Sequence, residues 1–319
     1  MLGNDHPRTL NALNNLASSH RLLGDYRAAR GYDQQVYDRQ RAVPNNDRNP
    51  ITLRAASNLG RDLREAGEYQ RSVNLLRGVA DDYAKAFGAD SRYALNASTN
   101  LAVSLRSAGS ADEAAPLLQT AYERLTDSIG PDSPDTLACR LSWSLNLLSM
   151  GDTSRAAAEL SGVLEAYEKS LGPLHPHTLV CVTNMSAVAR AEQDSARART
   201  LAETAAREIS GVLGNEHPYA LAAAMNLAIV TAETGEMQQA ATQMAKITAG
   251  LEQVLGPDHP DTVRGQANLA LARRVRRGPV VAEEEISERL KMRLGPNHPA
   301  VEAFGEHRYL HRVLDPHPF

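Results

Sequence analysis

Lysine is nearly missing from this chain. Only Lys85, Lys169, Lys246 and Lys291 stand beside thirty arginines, a bias that fits GC-rich coding better than a chemical demand for guanidinium. Aromatic residues are scarce too: one Trp, three Phe and ten Tyr among 319 residues. The core must therefore be built from Ala, Leu and Val, the composition of closely packed helices. There is no basic excess. Thirty-four basic and 38 acidic residues give a net charge of −4, which argues against a nucleic-acid surface. The most apolar run, residues 220–230, is 11 residues long and contains Asn226, too short for a membrane span. No basic segment followed by an apolar stretch opens the chain, so a cytoplasmic protein is expected.

What is present is a repeat. Leu-Gly-x-x-His-Pro occurs at Leu2-Gly3, Leu171-Gly172, Leu213-Gly214, Leu255-Gly256 and Leu294-Gly295, with degenerate copies at Asn45-Asn46, Phe87-Gly88 and Ile129-Gly130. The glycine-equivalent positions 3, 46, 88, 130, 172, 214, 256 and 295 are spaced by 43, then five times 42, then 39. So regular a period across the whole chain marks a repeat architecture rather than a single compact core. The units span residues 3–45, 46–87, 88–129, 130–171, 172–213, 214–255 and 256–294, with a cap at 295–319.

Each unit reads as two helices of about 16 residues. Pro7 suits a first helical turn, with His6 at the cap. Leu10, Leu13, Leu16 and Ala17 then form an apolar stripe. Gly24 ends that helix and Asp25 caps the next, which carries Ala29, Tyr32 and Val36 on one face and ends at the following Leu-Gly. Asn46 is expected to take the left-handed conformation that Gly adopts elsewhere. The fifth unit has Gln193-Asp194 where others have Gly-Asp. The seventh ends its first helix in Arg273–Pro279 and is expected to open first. A last helix, from about Pro299 to Leu314, caps the stack. Met1 stands directly before a Leu-Gly with no capping segment ahead of it, which points to a piece of a longer protein.

Asn14-Asn15-Leu16-Ala17, Gly24-Asp25-Tyr26 with Ala29, and Leu255-Gly256-Pro257-Asp258-His259-Pro260 resemble the tetratricopeptide repeats of kinesin light chain, and bacterial proteins of that type more closely still. Those include the tetratricopeptide component of FxSxx-COOH modified-peptide systems, often fused behind an NTPase module. The resemblance covers essentially the whole chain. It implies an all-α, right-handed solenoid of seven helix pairs plus a C-terminal capping helix, with a concave groove lined by the first helix of each pair.

Enzyme chemistry finds little support. The histidines His6, His175, His217, His259 and His298 are cap residues in separate units, too far apart to share a zinc. Cys139 and Cys181 sit at equivalent places in adjacent units, beyond disulfide reach, and read as buried, reduced packing residues. Trp143 takes the place of a repeat Leu, which fits a core filler. Neither a phosphate-binding glycine loop nor a nucleophile elbow occurs. No cofactor and no metal are expected.

One constellation stands out. Asn15, Asn58, Asn100, Asn184, Asn226 and Asn268 recur at one position of the first helices, broken only by Ser142. Six residues later come Arg21, Arg64, Arg106, Arg190 and Arg274. Six residues carry the helix to 120° short of two full turns, so both face one side, with a midway lane of Ser18, Arg61, Val103, Leu145, Ala187, Ile229 and Leu271. An Asn amide can both donate to and accept from peptide backbone, and Arg pairs with carboxylate. Asn side chains bonding the neighbouring repeat, and Arg complementing the negative helix end, are equally open.

The sequence thus predicts a non-enzymatic scaffold for a protein or extended peptide. An acidic or C-terminal peptide would lay its backbone on Asn58, Asn100, Asn184 and Asn226, and Arg21, Arg64 and Arg106 would hold its negative end. Val103, Leu145, Ile229 and Leu271 would receive its apolar side chains. The alternatives are the sensor or autoinhibitory arm of a nucleotide-driven regulator and a module that self-associates through its N-terminal end. Nucleic acid and membrane are not expected partners.

Overall fold

The computed structural model describes residues 3–277 and 281–315, without the side chains of 275–277, 281 and 282. The Arg273–Pro279 turn expected to open first therefore lies partly outside the described residues. The chain divides into two compact units, Met1–Cys139 and Arg140–Phe319. All regular structure among the described residues is helical.

The first unit holds α1 (Pro7–Leu22), α2 (Tyr26–Arg41), α3 (Pro50–Glu65), α4 (Tyr69–Phe87), α5 (Arg92–Ser107), α6 (Ala111–Ile129) and the start of α7 (Pro134–Ser149). The second holds the rest of α7, then α8 (Thr153–Leu171), α9 (Pro176–Ala191), α10 (Ser195–Leu213), α11 (Pro218–Glu233), α12 (Met237–Leu255), α13 (Pro260–Arg277), α14 (Val281–Leu294) and α15 (Pro299–Gly305). In the first unit each of the helices α1 to α6 packs on the next, and in the second so do α8 to α15. First helices also touch the first helix of the following pair, as α1 on α3 and α9 on α11.

Local chemistry sets these boundaries. His6, His175, His217 and His298 each cap a first helix through Nδ1, accepting the N–H two residues on, with Pro in the first turn. His259 accepts from Asp261 N in the same way. Gly24 lies at φ 79° between α1 and α2, a left-handed turn that an L side chain resists. At the fifth unit Gln193 takes that conformation at φ 63°. In the second unit the left-handed residue is Asn45, at φ 58°, rather than Asn46. Asn46 instead turns its amide inward, donating to Gln40 O and Oε1 and to Thr52 Oγ1.

Five of the second helices exceed the expected length, with 19 residues in α4, α6, α8, α10 and α12, whereas α2 has 16. The core is small and aliphatic as the composition requires, for example Leu10, Val36 and Ala55 in the first unit and Ala189, Ala198, Ala202 and Val230 in the second. Trp143 is buried, under the Arg155 guanidinium at 5.7 Å. Cys139 and Cys181 are buried and unbridged. Burial pushes the Cys139 thiol up to about 12 and raises Cys181 as well.

The cap departs most from expectation. Helix α15 stops after seven residues, at Gly305, and His307 turns left-handed at φ 60°. Residues 308–315 then continue without helical structure.

Candidate functional site

In the second unit the asparagine lane holds this C-terminal segment. Asn268 donates from Nδ2 to Leu310 O at 3.0 Å and accepts Leu310 N at Oδ1 at 2.7 Å. Asn226 does the same with Arg312, at 2.8 and 3.0 Å. Asn184 closes the series on Leu314, at 2.8 Å for both bonds. In an extended chain the N–H and C=O of one residue point to the same edge, and every second residue repeats that edge. One carboxamide offers a donor and an acceptor in matching geometry. Three asparagines 42 residues apart in sequence thus clamp residues two apart in the tail, which runs from α13 towards α9.

Other side chains fix the rest of the tail. Tyr219 donates its hydroxyl to Asp315 O at 2.6 Å. Arg190 reaches His311 Nδ1 at 3.2 Å and Tyr309 O at 3.5 Å, and pairs with Glu233 at 2.7 Å. Leu310 and Leu314 are buried, and Tyr309 packs against the cluster of Met225, Ile229 and Met244. Arg312 Nε lies 3.2 Å from Asp261 Oδ2, while Arg264 holds the other oxygen at 2.9 Å. Burial alone would raise the Asp261 carboxyl, but Arg312, Arg264 and His259 hold it below the ordinary carboxylate range. Burial lowers His311 to about 3, with the charges of Arg190 and Arg264 acting in the same direction. The ring is therefore a neutral acceptor for the Arg190 N–H.

The first unit carries its lane differently. Asn58 and Asn100 are half-buried, and Asn100 donates to Ser57 Oγ of the preceding first helix at 3.4 Å. Asn15 is exposed. Arg21 is 2% exposed and fully engaged, with Nε 2.7 Å from Asp62 and Nη2 2.5 Å from Asp33. It is thus placed as a structural ion-pair residue rather than as an anchor for a ligand's negative end. Arg64 is also buried, beside Glu65 at 3.5 Å and donating to Ser104 Oγ at 3.3 Å. Arg106 is buried as well. Arg61, 7% exposed, differs: among the described residues it has no hydrogen-bond or ion-pair partner. Burial lowers it to about 9, reinforced by Arg21 and Arg64 and opposed by Asp62 and Asp33.

Val103, Leu145, Ile229 and Leu271 are at most 5% exposed and belong to the core, so they are walls behind the lane rather than open pockets. Arg274 lies 3.8 Å from Glu283. The tail itself was not foreseen, nor were several of the side chains that hold it, among them Tyr219, Asp261 and Arg264. Asp261 follows the His259-Pro260 cap directly, but nothing in the repeat distinguishes it from other helix-start acids.

Among the described residues no helix is long and apolar enough to cross a membrane. Tetratricopeptide repeat models match residues 93–169 and residues 9–45, 52–93 and 220–261. No curated protein matches the chain. Among solved structures, a Rap protein complexed with competence and sporulation factor aligns with a TM-score of 0.75 at 10% identity, over 93% of this chain and 79% of that one. The Rap conjugation gene regulator of a plasmid, in complex with the Phr* peptide, aligns at 0.65 and 16%, over 95% and 77%. A putative kinesin light chain from Podosopora anserina shares 24% identity over 63% of this chain and 95% of that one, at a TM-score of 0.49. The repeat spacing, the helix pairs and the family models agree, and the chain belongs to the tetratricopeptide repeat family.

Proposed function

We propose that the protein is a non-enzymatic scaffold that binds an extended segment of a partner protein by its backbone, along the asparagine lane of its first helices. The observation that carries this reading is the clamp itself: Asn184, Asn226 and Asn268 each make both hydrogen bonds to one residue of an extended chain. Such recognition ignores side-chain identity, so the sequence preference comes from what lies beside the lane. In the first unit that is Arg61, a buried cation suited to an acidic side chain or a terminal carboxylate. The Rap structures complexed with a factor and a peptide support the reading by analogy of fold alone.

The test is a peptide selected from a random library against the full chain, titrated by fluorescence anisotropy. Asn58→Ala with Asn100→Ala, or Asn184→Ala with Asn226→Ala, should weaken it at least tenfold while the helical circular dichroism persists. Unchanged affinity in both double variants contradicts the reading.

A further inference from the structure

The segment seated in the second unit has the features of a ligand rather than of a structural strand. Among the described residues, no backbone-to-backbone hydrogen bond involves Tyr309 to Asp315; the last one belongs to Arg308 N, on Ala303 O. Side chains alone hold it, chiefly the three asparagines with Tyr219 and Arg190. A strand built into a fold would pair through its own peptide ladder. Here every clamp can be handed to another extended backbone with its geometry unchanged. Asparagines left behind would be met by water.

The seat also carries a side-chain pattern. Leu310 and Leu314, four residues apart, are 5% and 1% exposed. Between them Arg312 meets Asp261, whose carboxylate already faces Arg264. Extended chain places these three residues on one edge. The lane therefore selects apolar, cationic and apolar side chains at alternate positions.

Resting on the peptide-binding reading, we propose that residues 307–315 are a resident ligand of the Asn184–Asn226–Asn268 lane. A partner segment of the same chemistry displaces them: extended backbone, two apolar side chains four residues apart and a cation midway. The tail's short tether through α15 gives it a high effective concentration, on the order of millimolar for short links. Only a segment that matches the pattern competes with it.

The probe is a dye-labelled synthetic peptide with the sequence of residues 306–315, titrated into the full chain and into full-length variants with a weakened tail. Leu310→Asp with Leu314→Asp removes both buried anchors. Arg312→Glu, a milder change, sets like charge against Asp261 and keeps the anchors should the first variant fold poorly. Both variants leave the lane intact and should bind the peptide at least tenfold more tightly than the wild-type chain. Peptide carrying Glu at the Arg position should bind the weakened chains less well. Equal affinity for wild-type and folded weakened chains overturns displacement and leaves peptide binding standing. No uptake by any folded chain defeats both. A weakened chain that dimerises and takes up no peptide assigns the lane to a second copy and overturns the proposal.

Discussion

Arg21 shows how residue chemistry decides a role that position alone leaves open. Its place six residues after a lane asparagine is the same as that of Arg190, which faces the tail. What differs is Asp33, fully buried on α2 at the place held in later units by Leu76, Leu118, Leu160, Ala202 and Met244. An acid at a repeat's core position needs a cation, and Arg21 supplies it. Arg21→Ala should therefore cost about 3–5 kcal/mol, because it leaves Asp33 and Asp62 buried without compensation. Urea unfolding checks this, and a loss under 1 kcal/mol would contradict it. The Asp33 carboxyl is raised to about 7, by burial and by Asp62 against the pull of Arg21. Its unfolded value is about 3.9, so the folded state binds this proton more tightly. The resulting stabilisation is complete below the unfolded value and is lost as pH rises through about 7. Unfolding free energy should fall between pH 6 and 8, by no more than about 1.4 kcal/mol per pH unit, and Asp33→Asn should flatten that slope.

At the scale of elements, most of the fold was legible. Leu-Gly-x-x-His-Pro places a left-handed stop, a capping imidazole and an N-terminal proline in six residues, and the helices begin where that string says. Gln193 tests the rule by breaking it. Replacing it by Gly should raise stability by about 1 kcal/mol, the order of the left-handed penalty for an L side chain, measurable as a higher melting temperature. The last element was misread for a physical reason. Leu310 and Leu314 are four apart, a spacing that puts two side chains on one face of a helix and also on one face of a strand. Periodicity alone cannot separate the two. The helix stops at Gly305, His307 turns left-handed, and the residues beyond carry no helix. That docked tail should respond to acid. His311, lowered to about 3, must stay neutral to accept from Arg190, so docking is undiminished above its unfolded value of about 6.5 and weakens as pH falls below it. From pH 7.5 to 5.5 the docked tail should lose about tenfold in its equilibrium constant. His311→Gln should remove most of that dependence, followed by a dye near the tail.

For the molecule as a whole, the asparagine lane was readable from a single spacing, since the same residue type recurs every 42 positions. What fills it in the second unit was not, because a tail's partners lie 42 to 130 residues away in sequence and no local period records them. The carboxamides of Asn184, Asn226 and Asn268 hold extended backbone. Hydrogen exchange at the amides of Leu310, Arg312 and Leu314 tests it most directly. In the wild-type chain the three should be protected well beyond their neighbours His311 and Val313, and Asn184→Ala, Asn226→Ala and Asn268→Ala should each release first the amide of its own partner. Exchange of all three at the rate of an unfolded peptide in the wild-type protein would show that the asparagines do not hold the tail.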